Sequence, residues 1–191
     1  MTNAASFPSS EPRYRWWHGA LFFGAVTALS ALSSGRRNSR KEQELYEQEK
    51  LPVWAPPGVV FPLVWPLNNA ALVWGGVRLL NASKTQPHRN RMLALQAAQW
   101  ALYVSYGKVY FGWRSPVLSA VWTLADFAVS GLGLAWSRRS GDARLPLAYL
   151  PITAWTGFAS TVALYDALRN RDRLLGTPAP LRQAPWPALE K

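Results

Sequence analysis

Five stretches of this chain run for about a helix length with almost no charge. Trp16 to Gly35 and Gly58 to Val77 carry no Lys, Arg, Asp or Glu over 20 residues each. Met92 to Gly107 is shorter, at 16, and continues past Lys108 as an apolar tail to Trp113. Ser115 to Ser137 covers 23 residues broken only by Asp126, and Leu145 to Tyr165 covers 21. About 20 mainly apolar residues carry an α-helix across roughly 30 Å of hydrocarbon. Four runs meet that length; the third is marginal and relies on Lys108 reaching back to headgroup level. The pattern predicts an all-α fold, an integral membrane bundle of five transmembrane helices over 16–35, 58–80, 92–113, 115–137 and 145–168. A soluble all-α domain is the competing reading. It would leave five helices apolar on every face, and such helices need lipid or a large protein interior around them. A chain of 191 residues is too short to supply that interior.

The segments between the runs are polar. Gly35 to Lys41 and the Glu-rich stretch after it read as a loop, as do Asn81 to Arg91 and the turn Arg138 to Asp142. Residues 1–15 read as a disordered, Ser/Pro/Ala-rich tail, 16–170 as the membrane domain, and 171–191 as a basic, Pro-rich tail. The first run lacks a small-residue cleavage pattern and reads as a retained helix. With five crossings, 12 Lys and Arg fall on the side of the first loop, third loop and C-terminal tail, against 9 on the other. That asymmetry favours the N-terminus out and the C-terminus in.

The net charge of +11 comes from 21 Lys and Arg against 10 acids. Such an excess suits either nucleic-acid phosphates or anionic lipid headgroups. The aromatic residues lie inside the apolar runs instead of beside the basic segments, which argues against nucleic acid as a partner and for the bilayer. Absence of Cys excludes disulfides and thiolate metal sites. His18 and His88 have no partner spacing for a metal or a catalytic triad, and no phosphate-binding glycine loop occurs. No metal site is expected.

Polar residues inside the runs are few and therefore informative. Asp126 is either a functional group or one half of a helix–helix hydrogen bond, because an ionisable group at membrane depth needs a partner or a cavity. Asn68, Asn69, Gln96 and Gln99 are candidates for interhelical hydrogen bonds or for orienting a ligand. Trp16, Trp17, Trp113 and Trp136 end their runs, where the headgroup region favours them. Trp65, Trp74, Trp100, Trp122 and Trp155 lie within runs. Several of these converging in one bundle would build a flat apolar cavity suited to a large planar ligand. Two small-residue ridges, Ala20/Gly24/Ala28 and Ala97/Ala101/Ser105, fit close helix packing or a homodimer.

The region from Lys50 to Trp74 is the densest in Pro and Trp. Pro52-Val53-Trp54-Ala55-Pro56-Pro57 is followed by Val64-Trp65; Gln96 opens the third run; Trp122 precedes Asp126 by four residues; and Pro151, Trp155, Phe158 and Ala159 lie in the fifth. In this order and combination the chain, from about Tyr46 to Asn170, resembles the tryptophan-rich sensory protein / translocator protein family, the peripheral-type benzodiazepine receptors. The resemblance implies a five-helix bundle, often dimeric, that binds tetrapyrroles and in some members sterols. Its pocket would draw on Trp54, Pro56, Pro57, Phe61, Trp65, Asn68, Gln96, Trp122, Asp126, Trp155, Phe158 and Ala159. Trp65 and Trp155 match the two tryptophans implicated in porphyrin breakdown in bacterial relatives. Val162, Tyr165 and Arg169 fit the loose sterol-recognition pattern of the family's last helix.

The chain also departs from the family. Asn68-Asn69 stand where Leu-Tyr is usual, the third helix has Trp100, Tyr103, Tyr106 and Gly107 in place of its expected motif, and Pro151-Ile152 replaces Pro-Tyr. This marks a divergent member with room for a changed ligand. The expected function is that of a multi-pass, ligand-binding protein of a bacterial membrane. It would be a sensor or transporter of porphyrin, haem or a similar planar molecule such as a sterol, with no cofactor required. The alternatives are a membrane enzyme that degrades porphyrin with light and oxygen, and a regulatory protein whose pocket is vestigial.

Overall fold

The structure, a computed structural model, describes residues 12–34 and 39–181. The tail before Pro12, the basic segment 35–38 and the residues after Leu181 lie outside them. The described residues form six α-helices and no strands: α1 (Trp16–Ser33), α2 (Ser39–Glu47), α3 (Phe61–Asn81), α4 (Arg89–Gly107), α5 (Pro116–Arg138) and α6 (Pro146–Arg169). A 3₁₀ turn, Gly58–Val60, leads into α3, and a π-helical turn, Lys108–Gly112, extends α4.

Prolines set several helix starts, because a missing N–H costs nothing in a first turn. Pro62, Pro116 and Pro146 occupy those positions. Ser115 caps α5 by accepting the Leu118 N–H at 3.2 Å. Pro66 and Pro151 sit inside α3 and α6, where each deletes a backbone hydrogen bond.

The five long helices run up and down. α5 and α6 pack most extensively, α3 and α4 flank them, and α1 lies against α3 and α4. Close approach depends on glycine at several places, three of which join long helices at Val73, Ala148 and Tyr149. A Cβ on Gly75 would sit 2.5 Å from the Ala148 Cβ, one on Gly133 2.5 Å from the Tyr149 ring, and one on Gly19 2.8 Å from Val73.

Polarity is inverted relative to a water-soluble domain. Leu21, Leu63, Leu67, Val121, Leu147 and Leu150 point outward, while Asn68, Asn69, Gln99, Asp126, Thr156 and Asp166 are buried. Apolar side chains facing outward and polar ones turned inward are the arrangement that lipid, not water, favours. The stretches Gly58–Asn81, Pro116–Arg138 and Pro146–Arg169 are long and apolar enough to cross a membrane.

The expected count of five is not reached on length and composition among the described residues. α1 has only 18 residues and opens on Trp16-Trp17-His18, and α4 carries Arg89, Asn90, Arg91, Gln96 and Gln99. A second difference concerns the first loop. The Glu-rich stretch read as loop contains α2, whose Tyr46 is buried against Leu51, Ala55 and Val162. This short helix is strongly amphipathic, and burial of its one aromatic residue orders it.

The two small-residue ridges face differently from one another. Ala20, Gly24 and Ala28 lie on the outer surface of α1, and a Cβ on Gly24 would meet nothing within 4 Å. Ala97 and Ala101 line a groove between α4 and α1.

Candidate functional site

Residues 48–57 cross the end of the bundle where α1 and α4 finish and α3 begins. Pro52 and Ala55 are buried, and the Ala55 N–H donates to the Pro52 carbonyl at 2.9 Å. Three side chains pin the segment. Asn170, after α6, accepts the Lys50 N–H at 3.0 Å and donates to the Lys50 carbonyl at 3.1 Å. The Tyr46 hydroxyl donates to the Pro56 carbonyl at 3.1 Å. The Trp54 indole N–H donates to Thr161 Oγ1 at 3.2 Å, and its ring meets Tyr165 edge-on at 5.8 Å. Proline stiffness and these anchors give a preformed cover over the helix ends.

Between α1, α2, the start of α3 and the end of α4 lies a cavity of about 450 Å³, which no residue of 48–57 lines. α1 contributes Ser30 with Ser34 just after it, α2 contributes Glu42, Gln43 and Tyr46, and the start of α3 contributes Phe61, Trp65 and Pro66. α4 and its π-turn add Tyr103, Tyr106, Gly107, Tyr110 and Phe111. Aromatic rings dominate this wall. Trp65 and Tyr103 have centroids 5.5 Å apart, Tyr106 and Tyr110 stack at 6.0 Å with planes 17° apart, and Tyr46 meets Phe61 edge-on at 5.1 Å. Burial raises the Tyr46 hydroxyl above its ordinary range, so this group is a neutral donor at physiological pH. Glu49 is likewise raised by burial, an effect opposed by Arg173 and Arg114 nearby.

The residues expected to line one pocket are divided. Phe61, Trp65, Trp122, Asp126, Trp155 and Ala159 do share one wall, together with Tyr103, Tyr106 and Thr123. The void they enclose is only about 40 Å³, enough for about one water molecule. Pro56, Phe158 and Ala159 belong to a second void of about 40 Å³ that ends at Asp166. Phe61 and Trp65 also face the larger cavity and so join the two regions.

The remaining expected residues lie elsewhere. Trp54 is 41 % exposed on the outer face of α6, and Pro57 is exposed at the turn before α3. Asn68 is buried on α3, its Nδ2 without a partner, and lines neither the larger cavity nor the Trp65/Trp155 void. Gln96 donates to the Leu72 carbonyl at 3.1 Å and to the Tyr149 hydroxyl at 3.3 Å, on the opposite side of α4 from Trp122. Asp126, 6 % exposed, accepts a hydrogen bond from Gln99. In the sterol-type pattern Val162 and Arg169 are buried, and the Arg169 guanidinium donates to the Leu181 carbonyl. Tyr165 packs on Trp54.

Tyr46, Tyr103, Tyr106 and Tyr110 are cavity residues that the sequence reading did not select. The last three recur at intervals of three and four, which puts them on one helix face. That spacing was the available signal. For Tyr46 the signal was an aromatic residue on the apolar side of a short amphipathic helix. Among the described residues no group of three or more His, Cys, Asp or Glu is placed to hold a metal ion.

A family model described as the TspO/MBR family matches residues 21–166, from within α1 to the last turns of α6. No curated protein matches the chain. The match covers most of the chain, the aromatic cavity and the Trp65/Trp155 void with it, so the chain belongs to the TspO/MBR family.

Proposed function

We propose that this protein is a membrane sensor or transporter that takes a planar hydrophobic molecule into the cavity between α1, α2, α3 and α4. A tetrapyrrole such as porphyrin or haem is the leading candidate and a sterol the next. The observation that carries this reading is the convergence of Phe61, Trp65, Tyr103, Tyr106 and Tyr110 on one space of about 450 Å³. That volume falls within the roughly 300–1,000 Å³ usual for small-molecule sites. Flat rings offer area and stacking to a flat ligand.

The same reading takes all five long helices as membrane-crossing. α1 and α4 pack alongside α3, and Gln96 and Gln99 of α4 are turned into the bundle, which leaves Leu21, Phe22, Leu29 and Leu32 of α1 for lipid. The N-terminus would then lie outside and the C-terminus inside, and a homodimer would use the outward ridge Ala20/Gly24/Ala28. The porphyrin-degrading alternative draws on a separate observation, that Trp65 and Trp155 face the same void.

Absorbance titration of the purified protein with protoporphyrin in the dark tests the proposal. Saturable binding that weakens at least tenfold in Trp65→Ala supports it. Lack of saturable binding removes both ligand readings and leaves a vestigial pocket. Under illumination, product formation abolished by Trp65→Phe or Trp155→Phe would favour the enzyme, and unchanged porphyrin would favour binding or transport.

A further inference from the structure

A second and larger recess, about 620 Å³, opens between α1, α3 and α4, on the other side of the bundle from α5 and α6. Its walls are almost wholly apolar: Phe22, Val26 and Leu29 from α1, Val73 and Val77 from α3, and Trp100 among the α4 residues. The small residues Gly76, Ala97 and Ala101 make it deep enough to receive a chain. On α1 the lining runs from His18 to Leu29 and on α4 from Leu93 to Val104. Eleven residues at about 1.5 Å rise give roughly 16 Å, close to half of a hydrocarbon core of about 30 Å. The groove is therefore one leaflet long.

It begins at the end of the bundle where the basic residues are accompanied by the fewest acids. Segments 13–15, 78–91 and 138–144 hold nine Lys and Arg and one acid, Asp142, and that acid is paired with Arg78. At the mouth stand Tyr14 and His18. Arg13 lies over the Tyr14 ring, 5.7 Å from its centroid. Tyr14 is itself fixed by its N–H donating to Asn81 Oδ1 at 2.8 Å. His18 Nδ1 accepts the Arg15 N–H at 2.9 Å, which places the imidazole proton of the neutral ring on Nε2 as a donor. Arg89 spends three of its five N–H donors on Leu79, Leu80 and Asn90.

We infer that this groove is a binding site for one anionic phospholipid of that leaflet. An acyl chain lies between α1 and α4, and the headgroup phosphate meets Arg13, His18 and Arg89. A cation near an anionic headgroup contributes about 1 kcal/mol, or roughly fivefold in affinity.

Native mass spectrometry of the full chain, released from detergent after incubation with equal phosphatidylglycerol and phosphatidylcholine, tests the site. One phosphatidylglycerol should stay bound per chain. Arg13→Gln should weaken its retention about fivefold relative to phosphatidylcholine. Ala97→Phe, which fills the groove from an exposed position, should abolish retention, and Arg138→Gln at the same end on α5 should leave it unchanged. Equal retention of the two lipids, retention that survives both Ala97→Phe and Ala101→Phe, or a lipid-free dimer would each overturn the inference.

Discussion

Asn170 and Lys50 lie 120 positions apart and exchange two hydrogen bonds, the Asn170 amide accepting from the Lys50 N–H at 3.0 Å and donating to its carbonyl at 3.1 Å. The same amide donates to Asp166 Oδ1 at 2.7 Å. One side chain thus ties the segment across the helix ends to the last turn of α6. Asn170→Ala orphans the backbone groups of Lys50, and the cost expected for such groups is about 1–3 kcal/mol. Limited proteolysis should show faster cleavage within residues 48–57. Unchanged cleavage would show that Tyr46 and Trp54 hold the segment unaided.

A glycine pair tests the helix packing. Gly75→Ala pushes a methyl group to within 2.5 Å of the Ala148 Cβ, and neither backbone has a flexible side chain to yield. Overpacking of this kind costs about 1–3 kcal/mol. Gly24→Ala, with open space around it, should be neutral or slightly stabilising. Thermal unfolding in detergent should separate the two variants clearly, and equal midpoints would contradict the α3–α6 contact.

The pair Arg78–Asp142 gives a pH dependence with a definite sign. Arg78 donates to both carboxylate oxygens, and this hydrogen bonding holds Asp142 below the ordinary carboxylate range. Its contribution is therefore complete above the unfolded aspartate value of about 3.9 and is lost as pH falls through the lowered native value. Both partners are partly exposed, so solvent screening limits the contribution to about 1 kcal/mol or less. Asp142→Asn should lower the unfolding midpoint slightly at neutral pH, with the difference from wild type closing in acid. A difference that widened in acid would refute the assignment.

The positions of the long helices were legible because lipid imposes a simple rule, the exclusion of charge over a helix length. Which face each helix buries was much less legible, since helices apolar on most sides give little periodic contrast. The polar residues carried that information instead: Asn68, Asn69, Gln99 and Asp126 are all buried, away from the apolar exterior. Trp65 and Trp155, paired through the family resemblance, line one void, yet the open space lies mainly on the Tyr103/Tyr106 side of Trp65. That displacement depends on the volumes of Trp122, Trp155 and Thr156 packing together, which no linear pattern encodes. α2 was hidden by its charge, because Glu42, Glu44 and Glu47 read as loop until Tyr46 is seen to have a buried partner surface.

The hydrogen bond from Gln99 to Asp126 joins α4 to α5 at the depth of the Trp65/Trp155 void. Both side chains are buried, so removing one partner and removing both have different consequences. Gln99→Leu leaves a buried carboxyl without its donor and should cost about 1–3 kcal/mol. Asp126→Leu orphans the amide in the same way. The double variant Gln99→Leu/Asp126→Leu leaves no unpaired polar group and should recover most of the loss, since an apolar pair of similar shape is nearly neutral. A double-mutant cycle on unfolding midpoints measures this coupling directly. If the double variant instead loses the sum of the two single effects, the pair is not coupled. Asp126 would then owe its burial to the void beside Trp155, and protoporphyrin titration of Asp126→Asn should in that case show an altered affinity.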